Sequence, residues 1–531
     1  MSEPPARIPR RTLLRMGLGG LALTPIIAAC SGASTTGTLG TSTSGAAATG
    51  ASASAKSIKK GGALRLGMSG GSAASSLDPQ VQPDEMSAYP ALMIFDQLTA
   101  MNPQFELVYN LAEEFSHNAD GTVWTAKLRS GVTWHDGKPF TAADVAYSFN
   151  RVINPKTGAT SGPQLAMIQS VEKVDALTAK FNLNQPCGWL DIAVGDSGAL
   201  AVVPAGFNPA KPVGTGPFTY AGWVAGVSAN FNRNPNYWGQ VPYVDSVALS
   251  NIQDDSARFN ALLSDQIDLC ANLTPAQIAQ LNANLGYSLY NSPSGGFAMI
   301  SMRTDTGPLA DNRIRQAIKL CLDRNQINVA SNGGYGQLGS DLYGIEDPAY
   351  DHSLVRKQDI AAATKLVEQS GKKGETLTLI ASNIAGGVIS MCQVVAQNIQ
   401  AIGLNVNVKT VDPATLFGPN YLSWDFSVDI YPATTILTTS AIGDGPVAGL
   451  NETHWHDKEY DNLWYKASQE FDPTVRAGYL HQMQEIIFNS GGWLIPTFAN
   501  VTGAYKNLAG LQNDVTGFGL TRNLNYVGFT A

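Results

Sequence analysis

IAAATKLVEQSGKKGETLTLIASNIAGGVISMCQVVAQNIQAIGLNVNV, residues 360–408, changes its hydrophobic period three times. Ile360 to Gln369 reads as a helix stopped near Gly371, and Thr376 to Ala381 as a strand. Met391, Val394, Val395, Ile399 and Ile402 then recur at helical spacing until Gly403. Leu404-Asn405-Val406-Asn407-Val408 alternates with a period of two, as a half-buried strand does. Helix, strand, helix, strand with short links predicts a parallel sheet covered by helices.

The same alternation extends outward. Leu64-Arg65-Leu66 and Val123-Trp124-Thr125-Ala126-Lys127-Leu128 read as strands. Asp311 is placed to cap a helix on which Ile314, Ala317, Ile318 and Cys321 share one face. No internal repeat is visible. The fold class is α/β, or mixed α+β with mixed sheets. About 470 residues follow the first 60, too many for one core, so two or three domains are expected.

The first 30 residues read as an export address. Arg7, Arg10, Arg11 and Arg15 precede a short apolar run from Met16 to Ala29, too short to span a bilayer comfortably. Residues 1–29 are therefore expected to be a cleaved signal peptide. Pro9-Arg10-Arg11-Thr12-Leu13-Leu14-Arg15 resembles a twin-arginine signal, departing from it at Pro9, Leu13 and Arg15. Ile27-Ala28-Ala29-Cys30 resembles a bacterial lipobox, which implies lipid attachment at Cys30. Ser31 to Ala55 holds almost only Ser, Thr, Gly and Ala and cannot build a core. Residues 30–59 thus read as a lipid-anchored tether, whose coil reaches about 25–30 Å. The expected place is outside the cell, anchored to the outer face of its membrane.

The first 29 residues hold four of the 34 Lys and Arg and one of the 42 Asp and Glu, so the remainder carries −11. An acidic body without a basic stripe argues against nucleic acid. Cys187, Cys270, Cys321 and Cys392 are scattered, permit three pairings and lack metal-type spacing. Free thiols are expected for most, with Cys321 a small buried hydrophobe.

Three patterns imitate catalytic or metal chemistry. Gly67-Met68-Ser69-Gly70-Gly71 follows a strand as a nucleophile elbow would, but Gly71 to Ser76 is too rich in Gly and Ser for the helix that must follow. A secreted serine hydrolase using Ser69 is the distant alternative. His454-Trp455-His456-Asp457 lacks a third ligand of supporting spacing and reads as a polar loop. His135-Asp136 runs into an Asp-Gly turn, followed by a capping box at Thr141 and Asp144 that opens a helix with Val145, Phe149 and Val152 inward.

That last segment carries a resemblance. Asp120-Gly121, Trp124, Leu128-Arg129, Gly131-Val132, Trp134 through Ala142, Asp144-Val145 and Tyr147-Ser148-Phe149 are similar to the signature of family 5 extracellular solute-binding proteins. Leu77-Asp78-Pro79, Pro212 through Phe218, Asn236-Tyr237-Trp238-Gly239, Arg315-Gln316-Ala317-Ile318, Asp323-Arg324 and Trp493-Leu494-Ile495-Pro496 follow in the family's order. The resemblance spans about residues 61 to 531.

It implies a two-lobed periplasmic-binding-protein-like clamp with an extra inserted domain. Residues 60–95, 204–296 and 500–531 would form domain I, 96–203 domain II and 297–499 domain III. It further implies a non-enzymatic monomer without cofactor or metal. Such a protein delivers a small molecule or short peptide to the permease of an ABC importer. The ligand-facing set it suggests is Asp84, Glu85, Met86, Phe297, Asp412, Asn420, Tyr431 and Thr434. Counting from Asp425, Thr434 falls where peptide-binding relatives carry the carboxylate that pairs with a peptide's ammonium. A hydroxyl cannot supply that charge-assisted bond. Asp429 or Asp444 could substitute from another position. The expectation is weak binding of unblocked peptides, with a neutral polar solute such as an oligosaccharide as the alternative ligand.

Overall fold

The computed structural model describes residues 57–82, 84–281 and 286–531. The signal peptide, the twin-arginine stretch, Cys30 and the tether up to residue 56 lie outside the described residues.

The stretch 360–408 folds as two helix–strand pairs. Helix Ile360–Ser370 ends at Gly371, whose φ of 70° closes the turn, and strand Thr376–Ala381 follows. Helix Val388–Gln400 starts three residues earlier than the periodicity suggests, because Gly387 caps it at φ 74°. It stops at Gln400 rather than Gly403; residues 401–403 turn, with Gly403 at φ 89°, while Ile402 still packs inward. Strand Asn405–Thr410 lies parallel to Thr376–Ala381 along all six residues. Strand Phe426–Tyr431 joins Thr376–Ala381 in parallel and Phe297–Met302 antiparallel, so the sheet is mixed.

Among the described residues the chain forms two seven-stranded sheets, a four-stranded one, and two smaller ones of three and two strands. The first runs, in spatial order, through Ser288–Ser292, Val501–Tyr505, Leu269–Ala271, Ala63–Met68, Ser246–Asn251, Ser228–Arg233 and Phe218–Val224. The second contains Phe297–Met302, Phe426–Tyr431, Thr376–Ala381 and Asn405–Thr410, with Trp493–Leu494, Thr497–Phe498 and Gln337–Leu338 at its other side. The four-stranded sheet, all within residues 112–183, pairs Ala112–His117, Val123–Leu128, Thr178–Leu183 and Ile168–Lys173 antiparallel.

The chain passes between the large sheets twice, through residues 293–296 and 499–500. The two passages lie side by side, with the Ala499 N–H donating to the Gly296 carbonyl at 3.2 Å. This double crossover makes the molecule two-lobed.

The signature residues turn out to be joints of this architecture. Helix Ala142–Val152 opens with the Thr141 N–H donating to Asp144 Oδ2 at 2.9 Å, the expected capping box. Arg151, at the helix end, pairs with Asp78 of Leu77-Asp78-Pro79. His135 Nδ1 accepts from the Gly214 N–H at 3.3 Å, which leaves Nε2 to donate to the Gly216 carbonyl at 2.9 Å. Burial lowers its pKa below the ordinary histidine value, consistent with this neutral ring. Buried Asp96 gathers three donors: Thr215 Oγ1 and Trp238 Nε1 at 2.9 Å each, and the Tyr237 hydroxyl at 3.1 Å.

All four described cysteines are free and buried. Desolvation pushes the thiols of Cys187 and Cys321 up to about 12 and that of Cys270 to about 11. Cys321 sits fully buried on helix Asn312–Cys321, whose N-cap is Asp311.

One hydrophobic core is continuous from the four-stranded sheet, through Trp124 and Phe181, into the second lobe at Trp464, Tyr460 and Trp493. The junction is close: the Gly188 N–H donates to the Ser468 carbonyl at 2.8 Å, Arg476 Nη2 to the Gly188 carbonyl at 2.8 Å, and Phe471 stacks on His117 at 4.1 Å.

Candidate functional site

Beside the double crossover lies a cavity of about 110 Å³ with walls from both lobes. Several water molecules, or one small polar solute, would fill such a space. The first lobe supplies Glu85, Ala88 and Tyr89, then Asn272, and the turn Thr516-Gly517-Phe518. The second supplies Asn332 and Tyr335, Gly386, and the strand end Tyr431-Pro432-Ala433. The crossovers themselves contribute Ser294, Gly296 and Asn500.

Local chemistry explains the first wall. Asp84 is extended and caps helix Glu85–Ile94: its Oδ1 accepts from the Ser87 N–H at 3.1 Å and the Ser87 hydroxyl at 2.8 Å. Its Oδ2 accepts from the Ser72 and Ser75 hydroxyls at 2.7 and 2.6 Å, tying the preceding loop down. With the helix start fixed, Glu85 and Tyr89, four apart, fall on one face and reach the cavity together. Burial, and then the Glu85 charge beside it, hold the Tyr89 hydroxyl well above the ordinary tyrosine value.

On the opposite wall, Tyr431 lies parallel to Phe297, with centroids 5.7 Å apart and planes 8° apart, and 4.6 Å from Trp493. Its hydroxyl donates to Glu452 Oε1 at 3.0 Å. Phe297 and Trp493, themselves 6.1 Å apart, hold the ring from one side, and Glu452 holds its tip. At the crossover, Asn500 Nδ2 donates to Asn291 Oδ1 at 2.9 Å, while its own Oδ1 is buried without a partner among the described residues.

Of the eight residues expected to face a ligand, Glu85 and Tyr431 line the cavity. Asp84 spends its carboxylate on four internal bonds, and Met86 is fully buried in the first lobe's core. Phe297, 1% exposed, stands behind Tyr431 rather than in the wall. Asp412 caps the short helix Pro413–Leu416 at the surface, and Asn420 is exposed; neither lines the cavity. Thr434 is buried with its hydroxyl 2.7 Å from that of Thr439, and does not line it either. The hydroxyl-rich run after it is a buried helix, Ile436–Gly443, rather than a surface element.

Neither alternative acid reaches the cavity. Asp429 accepts from the Tyr421 hydroxyl at 2.6 Å. Asp444 accepts from Tyr343 and Tyr460 at 2.8 and 2.9 Å, and burial raises its pKa to about 6. Tyr89, inside helix Glu85–Ile94, and Asn272, Tyr335, Asn500 and Phe518, in loops and turns, were not legible as site residues, because no period or motif marks them. Strand Ala63–Met68 runs into an irregular loop at Ser69, so no elbow forms there. His454 is spent on neighbouring segments, with Nδ1 3.0 Å from Asp305 Oδ2 and Nε2 2.8 Å from the Leu422 carbonyl.

A second contact bridges the halves away from the cavity. Asp196 Oδ2 accepts from the Thr435 N–H at 3.0 Å and hydroxyl at 2.8 Å, at the start of helix Ile436–Gly443. Asp347 Oδ2 accepts from the next N–H, that of Ile436, at 2.9 Å. Burial raises the Asp196 pKa to about 7, against its bonds from Thr438 and Thr435, and the Asp347 charge adds to the rise. An acid raised above its ordinary 3.8 stabilises the fold fully below that value and loses this stabilisation as pH climbs through about 7. Wild-type stability relative to Asp196→Asn should therefore fall by up to about 4 kcal/mol between roughly pH 4 and pH 7, at 1.36 kcal/mol per unit. Melting curves of the two proteins that run parallel across that range would remove this prediction.

Against this geometry stand the comparisons. A sequence model of the bacterial extracellular solute-binding proteins, family 5 Middle, matches residues 106–441. The chain belongs to that family. Among relatives of this family 5 protein, protein XP55 of Streptomyces lividans is 28% identical over 435 residues, covering 76% of this chain and 78% of that one. The glutathione-binding protein GsiB of Pectobacterium atrosepticum is 27% identical over 356 residues, covering 64% and 68%. Among solved structures, DppA of Helicobacter pylori, an ABC transporter-associated periplasmic binding protein in complex with the peptide STSA, superposes with a TM-score of 0.76 at 20% identity. That match covers 89% of this chain and 99% of DppA, and at such identity it speaks for the two-lobed fold. Among the described residues no helix is long and apolar enough to cross a membrane.

Proposed function

We propose that this family 5 protein captures a peptide-like solute between its lobes outside the cell and hands it to the permease of an ABC importer, without turning it over. The observation that carries this reading is the cavity walled from both lobes beside the double crossover. Contacts from both walls exist only when the lobes are together, so a solute shifts the population towards closure. In this reading residues 60–95, 204–296 and 500–531 move as one lobe with 96–203 attached, and 297–499 as the other. Two relatives lend the solute class: GsiB is named for glutathione, and DppA holds a tetrapeptide.

The test is small-angle scattering and thermal melting of the mature body with a mixed peptide extract. A bound solute should shrink the radius of gyration and raise the melting temperature with concentration, as mass action requires. Unchanged curves at millimolar extract would end the reading. Anchoring is proposed at Cys30, from the lipobox-like Ile27-Ala28-Ala29-Cys30. Cys30→Ser should leave the body folded and release it from membranes; a mutant that still sediments with them would refute the anchor.

A further inference from the structure

We infer that Asp196 is the catch of a proton-sensitive latch: closing the lobes carries this carboxyl of the inserted segment 96–203 onto the start of helix Ile436–Gly443, so that the closed form gains as pH falls. The inference rests on the capture reading above, and its residues lie outside the wall of the solute cavity.

The catch is fixed on one side and received on the other. Asp196 directly precedes Ser197, which caps the turn Gly198–Leu200 and whose carbonyl accepts Gln97 Nε2 at 2.6 Å. Across the seam, Thr435 is the N-cap of helix Ile436–Gly443 and gives Asp196 Oδ2 both its N–H and its hydroxyl. The next N–H, that of Ile436, is already taken by Asp347, whose Oδ1 is held within the second lobe by the Ala349 N–H at 2.8 Å. Two carboxyls, one from each side of the seam, therefore crowd a single helix start. The other groups that face them are Thr438 of the same helix and Arg522, whose charge is shared between Asp196 and Asp514. Arg476 and His481, from helix Pro473–Ser490, face Asp347.

With the lobes apart, Asp196 meets water and behaves as an ordinary carboxyl. Closure strips that water and brings the Asp347 charge within reach, while a protonated Asp196 accepts the same two bonds at neither cost. Closing thus takes up a proton. Because the closed carboxyl sits at about 7 against an ordinary 3.8, this contribution to closure is full below 3.8 and is lost as pH climbs through about 7. Solute binds across the closed lobes, so its apparent affinity follows the fraction closed.

The test is small-angle scattering of the mature body at pH 5 and pH 8, with and without the mixed peptide extract, for the wild type and for Asp196→Asn. The wild type should expand towards pH 8, its closing equilibrium falling by roughly tenfold or more, the factor for a shift of one unit or more. The extract concentration that compacts it should rise with pH in step. Asp196→Asn keeps an accepting oxygen without the charge and should stay equally compact, and equally responsive to extract, at both values. A wild type that extract compacts but pH leaves unchanged would overturn the latch alone, as would a variant that expands alongside it. A radius moved by neither pH nor extract would remove the capture reading as well.

Discussion

Asp341→Asn should cost the folded body about 3–5 kcal/mol, the penalty typical of removing one partner from a buried ion pair. Asp341 is fully buried in the second lobe, at the centre of a group of cations. Its Oδ2 takes Arg324 Nη2 at 2.7 Å and lies 3.3 Å from Arg356 Nε, while its Oδ1 accepts the Ile495 N–H at 3.2 Å. Lys319, also buried, lies close enough to feel it. Desolvation lowers the Lys319 pKa to about 7; Asp341 opposes this, while Arg356, Arg315 and Arg324 add to it. Without the Asp341 charge, these cations would face one another in low dielectric. Asparagine is the fitting probe because residue 341 has φ 64°, a left-handed geometry that Asn tolerates as well as Asp does. The loss would then come from charge and not from backbone strain. Chemical denaturation of wild type and variant gives the difference directly, and a gap under about 1 kcal/mol would show that the cluster is neutralised in another way.

Gly214→Ala should prevent the native body from accumulating. A β-carbon at 214 would lie 1.8 Å from the Ile94 carbonyl oxygen and 2.6 Å from its carbon. The backbone on that side cannot retreat, because the same carbonyl accepts the Gly216 N–H at 2.8 Å. On the other side the Gly214 carbonyl accepts the His135 N–H at 2.8 Å, so the segment is held from both directions. Thr215→Ala is the control: it removes one of three donors to Asp96 and should cost about 1–2 kcal/mol. Soluble yield and melting of the pair decide the matter. A Gly214→Ala protein that melts within a few degrees of wild type would show that the Ile94 turn yields.

These two sites explain why the family was legible and the ligand was not. Gly214 and Gly216, His135, Arg324, Ile495 and Trp238 are signature positions, and each makes a bond that joins separate parts of the chain. Joints demand particular residues, so they leave particular letters in the sequence. Strands Thr376–Ala381 and Val123–Leu128 were legible for a simpler reason: their inward positions alternate. The helix after residue 387 starts before its apolar spacing does, because Gly387 sets its first turn, and it ends three residues short of the Gly403 stop. The cavity wall has no such grammar. Tyr335 and Asn500 meet only because the crossover brings residues 165 positions apart to one place. Counting along one strand therefore led to Thr434, which faces Thr439, and missed Asn500.

The outermost pairing of the chain has a mechanical consequence. Strand Ile58–Lys59 pairs with Gly528–Thr530, and the Ala531 N–H reaches the Ser57 carbonyl at 3.0 Å. A pull arriving through the residues before Ser57 first peels this two-residue pair, which yields easily. It then meets strand Ala63–Met68, which lies inside its sheet and is laddered to Ser246–Asn251 on one side and Leu269–Ala271 on the other. Both ladders are parallel, so a pull along the strand would have to shear them together instead of unzipping bond by bond. The chain thus yields a few residues of slack at its edge and then stiffens abruptly, as a short fuse wired ahead of a clamp would.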